Sequence, residues 1–320
     1  MISTMNESHS HASGMLPDIG TLLSATSGLQ TAIINRSDKR GCVEALEHAL
    51  RVADDTIIQV MPDLAPKPAL NQLFQNAKAT KTLAVEAKER GMGEGARMVG
   101  DRHEAVYKIS RAIKVVADGL TKEFDFAHIA ESSRGDFKGR HEIPNSPFAN
   151  AFPTLAESLM GMRMAGVLRS FVQKKLKPLS EGKQPDQEVQ AALKEAWGKL
   201  KETYPDISAM RFYKNVDDRI QRGSNDARNA VADISVELIG SAEHIEKRFS
   251  PMTLLTSYKE DVEKGADPAR LTATAPHVAA SIRGLYAKEA YSALYDTVYH
   301  NDQSLAETID AHVVAEQKRG

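Results

Sequence analysis

Apolar residues recur at three- and four-residue steps along most of the chain, the period of a helix with one buried face. Leu22, Leu23, Leu29, Ile33 and Ile34 predict a first helix over 18–35, and Ala45, Leu46, Leu50 and Val52 a second over 42–60. "PDLAPKP" breaks the period. A third helix is expected from near Pro68, a residue suited to a first turn, as far as the glycines of "GMGEG". The period returns over 94–124, then over 153–177, where Pro178 is expected to stop it. Further helices are predicted over 186–203, 206–222, 224–249, 251–264, 268–272, 276–299 and 303–317. No stretch alternates as a half-buried strand does, and no repeat of fixed period is evident.

Residues 125–152, "DFAHIAESSRGDFKGRHEIPNSPFANAF", hold two glycines and two prolines and no sustained period. Aperiodic connections longer than about 15 residues are uncommon inside a domain and often carry binding loops or linkers. The fold expected is all-α, a multi-helix bundle with one long irregular central loop. Its parts are a flexible N-terminus (1–16), an N-terminal helical part (17–124), the loop or linker (125–152) and a C-terminal helical part (153–320). One continuous helical domain over 17–320 is the other arrangement the pattern allows.

Composition narrows the functions. Of 320 residues, 42% are hydrophobic and 26% charged, which is ordinary for a globular chain with its own core. A net charge of −2 and a pI near 6.6 speak against a nucleic-acid binder dominated by phosphate contacts. The longest apolar runs fall short of the roughly 18 residues of a membrane span. Cys42 is the only cysteine, so neither an intrachain disulfide nor a cysteine-rich zinc site is available, and a buried inert thiol is expected. The N-terminus "MISTMNESHSHASGMLPDIG" has no basic and no apolar signal region. The reading is a cytoplasmic chain, or one delivered by a leaderless bacterial secretion route.

The richest chemistry lies in "NVDDRIQRGSNDARNAVADISVE", with five carboxylates between Asn215 and Glu237. Within it, "NDARNAVAD" resembles the second magnesium-binding motif of class I terpene synthases, which are all-α enzymes of similar length. The resemblance would make Asp226, Asn229 and Asp233 ligands of a magnesium that clamps a diphosphate. Asn229 stands where that motif has Ser or Thr, and Asp233 where it has Glu; "ADDTIIQ" and "VDDRIQ" each lack the third acid of the first motif. At about 100° per residue, Asp226, Asn229, Asp233 and Glu237 share one stripe of a helix. Ala227, Val231, Ile234, Leu238, Ile245 and Phe249 share another, about 130° away. The acids are therefore expected to face water, with Gly223 ending one helix, Ser224 capping the next and Asp226 in its first turn.

In the loop, His141 and Glu142 are candidates for acid–base or metal chemistry, with His128, Glu131 and Asp136 nearby in sequence. Their spacing matches no metalloprotease or phosphohydrolase signature. "RGD" at 134–136 is the tripeptide that integrins read. "DRHEAV" places His103 on a helix, as a surface or half-buried histidine. "GMGEGARMVG" (91–100) could offer backbone N–H groups to an anion, but has no P-loop Lys-Ser/Thr and follows a helix.

"MAGVLRSFVQ" resembles the G-x-L-R-x-x-x-T arginine-finger motif of bacterial toxins that act as GTPase-activating proteins of Rho-family GTPases. Gly166, Leu168 and Arg169 match and Gln173 replaces the Thr. Just before it, Met160, Met162 and Met164 are either core filler or an adaptable binding surface. The leading functional expectation is a protein that works through protein–protein contacts, a bacterial effector or adaptor, using the central loop and the Met-rich helix. The first alternative is an all-α enzyme with a divalent-metal or diphosphate site, in which Mg would be the cofactor. The second is a GTPase regulator acting through Arg169.

Overall fold

The computed structural model describes residues 17–35, 38–79 and 98–319. Every regular element among them is helical. In chain order they are α1 (Pro17–Ile34), α2 (Lys39–Val60), α3 (Leu70–Ala79), α4 (Met98–Glu123), α5 (Phe126–Ser132), α6 (Pro147–Ala151) and α7 (Pro153–Phe171). A π-helical turn, Val172–Leu176, leads into α8 (Lys177–Glu181). Then come α9 (Asp186–Thr203), α10 (Tyr213–Arg222), α11 (Ala227–Arg248), α12 (Pro251–Glu263), α13 (Pro268–Thr274), α14 (Pro276–Tyr299) and α15 (Asp302–Gln317). No described helix is long and apolar enough to cross a membrane.

The chain divides into two compact units, one of residues 1–124 and 280–320, the other of 125–279. In the first, α2 buries Leu46, Leu50, Ala53 and Ile57 on one face, and α1 covers it with Leu22 and Leu29. α14 joins them: the Tyr291 hydroxyl donates to the Ala53 carbonyl, and Gln30 donates to Thr297 Oγ1 at 2.9 Å. Gly284 of α14 lies under the Phe124 ring so closely that a Cβ would stand 2.1 Å from it. Cys42 is buried here, and burial pushes its thiol pKa up, as for an inert core thiol.

The second unit is built around α7, which is apolar on nearly every side and buries Leu155, Leu159, Met162, Met164 and Leu168 completely. α5, α6, α11 and α12 pack against it. Met162 and Met164 are therefore core, which corrects the expectation of a Met-rich surface; Met160 alone of the three is not buried.

Residues 125–152 are irregular in period yet closely tied down. Short helical turns place Ile129, Phe137, Ile143 and Phe148 in the interior. Phe137, Phe148, Phe152 and Tyr258 form a ladder of rings with centroids 5.3, 6.3 and 6.1 Å apart. The period failed because each anchor belongs to a different turn.

Pro178 does not stop the helix. The Lys177 N–H reaches back to the Val172 carbonyl, and the widened turn lets Pro178 enter the first turn of α8. Pro68, by contrast, lies outside a first turn: α3 starts at Leu70, whose N–H and that of Asn71 are both received by Asp54 at 2.8 Å. The end expected for that helix, and "GMGEG", lie outside the described residues.

Candidate functional site

The acidic stripe runs along α11. Gly223, at φ +77°, ends α10 as expected. The cap of α11 is Asp226 and not Ser224: Asp226 accepts the Asn229 main-chain N–H at 3.1 Å and its side-chain amide at 2.5 Å, while Ser224 Oγ accepts the Asp226 N–H. Ser224 lies two residues too early to reach the amides of the first turn, and its hydroxyl is taken up by the Asp226 N–H instead. Asp226, Asn229 and Asp233 are exposed, and Ala227, Val231, Ile234 and Leu238 are buried behind them. Asp217 has a different place. It accepts the indole N–H of the buried Trp197 at 2.7 Å and the Lys201 ammonium at 2.9 Å, and these donors hold its pKa below the usual carboxylate range.

The loop candidates are drawn apart. His141 is exposed, with its ring over Gly139 where a Cβ would stand 2.2 Å from it. Glu142 turns back to accept the Lys138 N–H at 2.9 Å. Glu131 pairs with Arg134 at 3.1 Å. Asp136, the acid of "RGD", has a side chain only 1% exposed and receives the N–H groups of His277 and Val278 at the start of α14. In the first unit, His103 meets Asp302 at 3.1 Å. Among the described residues no three His, Cys, Asp or Glu side chains are placed to hold one metal ion.

Arg169 is clamped. Its Nε and Nη2 donate to the two carboxylate oxygens of Glu246 at 2.5 and 2.7 Å, a bidentate pair.

What the fold brings together is a groove between α7 and α11, of about 790 Å³. Met160, Met210, Phe212, Ile245 and Phe249 give it an apolar lining. Phe249 lies flat against α7 because residue 161 is glycine; a Cβ there would be 2.3 Å from the ring. Gly240 of α11 borders the groove with nothing within 4 Å of where its Cβ would be. The exposed Arg211, His244 and Arg248 stand on the rim, and the partly buried Arg140 lines the groove from within the fold. Of the two rim acids, Glu237 is held by Asn215 at 2.7 Å and Arg219 at 3.3 Å, and Glu157 lies 3.9 Å from Arg248. The groove is thus apolar within and cationic at its edge.

No protein-family model matches the chain, and neither the curated proteins nor the solved structures show one similar to it.

Sequence reasoning missed two interior arginines. Arg163 interrupts the apolar run of α7 and donates to the carbonyls of Phe137 at 2.7 Å and Lys138 at 3.1 Å. Arg140 donates through Nε to the Met160 carbonyl at 2.8 Å. Burial, then the neighbouring Arg163, lowers the Arg140 pKa to about 10. The available signal was a charged residue at 163 in the core phase of its helix, in register with Leu155, Leu159, Met162 and Leu168.

Proposed function

We propose that the protein works through protein–protein contacts, and that the groove between α7 and α11 receives a short amphipathic segment of a partner, apolar on one side and acidic at its flank. The observation that carries this reading is the pairing of an apolar lining with a rim that holds the exposed Arg211 and Arg248. Apolar anchors set into such a lining supply affinity, and complementary charge at the rim supplies register and speed of encounter. Gly240 supports the same reading, because it leaves open space on the α11 side.

The metal-enzyme alternative draws little from the geometry, since Asp226 and Asn229 bond each other and cap a helix. The arginine-finger alternative would require Arg169 to leave Glu246.

The test is fluorescence polarisation with a library of amphipathic peptides whose flanks are acidic or basic. Acidic-flanked peptides with Leu or Phe anchors should bind the wild type. Gly240→Leu, which fills the groove from open space, should weaken them about tenfold or more. Equal binding of both flank types, or unchanged binding to Gly240→Leu, would defeat the proposal.

A further inference from the structure

We propose that a second groove of the same unit, between the π-helical turn and α9, docks an acidic segment of a partner protein through one large apolar side chain. The groove holds about 380 Å³. Phe171 and Leu200, with the partly buried Leu179 and Tyr204, give it an apolar floor. On the α9 side residues 192 and 196, one turn apart, are both alanine, and longer side chains there would fill it. Trp197 backs Phe171 with ring centroids 6.1 Å apart, so the floor is held in place.

The banks set the charge. Along the π-helical turn Val172 and Leu176 are buried, and Gln173, Lys174 and Lys175 stand exposed between them, which puts two ammonium groups on one bank. Among the described residues neither lysine forms an ion pair, and Lys175 acts on Glu195 only through space. On the opposite bank Glu195 is taken by Lys199 at 2.5 Å, and next to the groove Glu181 lies 3.9 Å from Lys177. An apolar floor beside two unpaired cations is complementary to an apolar anchor flanked by carboxylates. A membrane surface or a nucleic acid fits less well, because its charge is continuous and the exposed Glu181, Glu195 and Glu202 would repel it. This groove shares no lining residue with the one between α7 and α11, so a substitution in one leaves the lining of the other intact. The two together would let one unit bridge two partners.

Labelled peptides decide it, by fluorescence polarisation with the full chain. Each places one Leu, Phe or Trp between pairs of Glu, and its counterpart has Lys in place of Glu. Both sets are titrated into wild type and into Gly240→Leu, which fills the other groove, so that binding surviving in the variant is the readout. Glu-flanked peptides should bind Gly240→Leu and Lys-flanked ones should not. Replacing the apolar anchor of the peptide by Ala should weaken binding about tenfold. Adding Lys174→Glu with Lys175→Glu, both at exposed positions, should also weaken it about tenfold or more and admit the Lys-flanked peptides instead. Lys174→Arg with Lys175→Arg should retain the original preference. Equal binding by wild type and Gly240→Leu, still lost on charge reversal, would support this groove while sinking the reading of the other. Glu-flanked peptides that bind Gly240→Leu no better than Lys-flanked ones overturn the proposal, and so does binding that the charge reversal leaves unchanged. Phosphatidylserine vesicles that bind through Lys174 and Lys175 where the peptides do not would overturn it in favour of a membrane surface.

Discussion

Asp136 Oδ2 accepts the main-chain N–H of Val278 at 2.8 Å, across 142 positions of sequence, while Oδ1 accepts that of His277 at 3.1 Å. The first turn of a helix leaves its N–H groups without partners, and here a carboxylate from elsewhere in the fold supplies them. The same device recurs twice: Asp54 serves the start of α3, and Asp261 receives Thr154 and Leu155 at 3.1 and 2.9 Å at the start of α7. Ala69, Phe152 and Ala275, which precede these helices, have no side chain able to cap.

Asp136→Ala should therefore destabilise the protein by about 1–3 kcal/mol, because two N–H groups lose a charged acceptor. Asp136→Asn should cost less, since one acceptor oxygen remains. Thermal unfolding by circular dichroism compares the two. Equal midpoints for wild type and Asp136→Ala would mean that water replaces the cap. An integrin-type reader would need the same buried side chain turned outward, so recognition of "RGD" is expected only after unfolding.

Trp197 is the sole tryptophan, and its indole N–H donates to Asp217. Its emission reports on that bond directly. Asp217→Ala should shift the emission and cost about 1–3 kcal/mol, as a buried donor loses its partner.

The pH dependence of the same pair has a fixed sign. The Lys201 hydrogen bond, aided by Trp197, depresses the folded pKa of Asp217 below the ordinary 3.8. Its contribution is thus complete above about pH 4 and is lost as pH falls through the depressed folded value. Wild type should lose stability between pH 4 and the depressed value more steeply than Asp217→Asn does; parallel curves in urea melts monitored by fluorescence would contradict this.

Arg169 and Glu246 form a partly exposed pair, with side chains 41% and 24% accessible. Solvent screening limits its worth, and a double-mutant cycle should return a coupling of about 0.2–1 kcal/mol. A coupling near zero would mean that the bidentate geometry is not maintained in solution and that Arg169 is available to a partner.

Gly284 and Gly240 should respond oppositely to alanine. A Cβ at Gly284 meets the buried Phe124 ring at 2.1 Å, and Gly284→Ala should cost about 1–3 kcal/mol through overpacking. At Gly240 the space is open, and alanine should stabilise the helix by about 0.5–1 kcal/mol. Urea midpoints measured side by side decide it.

Much of the fold was legible in the sequence. The helix over 186–203 and that over 276–299 appear with the bounds their periodicity predicts, because each has proline or a polar break at its ends and an unbroken apolar face between. The outward phase of Asp226, Asn229 and Asp233 was legible too, since Val231, Ile234 and Leu238 fix which side of α11 is buried. The grooves were not legible. They are assembled from residues tens of positions apart, such as Phe171 with Leu200 and Met160 with Phe249, and local spacing carries no record of which turns meet.

The sequence by itself determined that the fold is all-helical, where its long helices lie and which face of most of them is apolar, for these follow from a period of about 3.6 residues and the chemistry of helix ends. Only the tertiary structure decided what its isolated polar residues do. Asp54, Asp136 and Asp261 cap remote helices, Asp217 holds Trp197, Arg169 is clamped by Glu246, and Arg163 holds the carbonyls of Phe137 and Lys138. The physical reason is that a helix period is set by near neighbours, whereas a buried charge takes its role from whichever donor or acceptor the packing brings within about 3 Å.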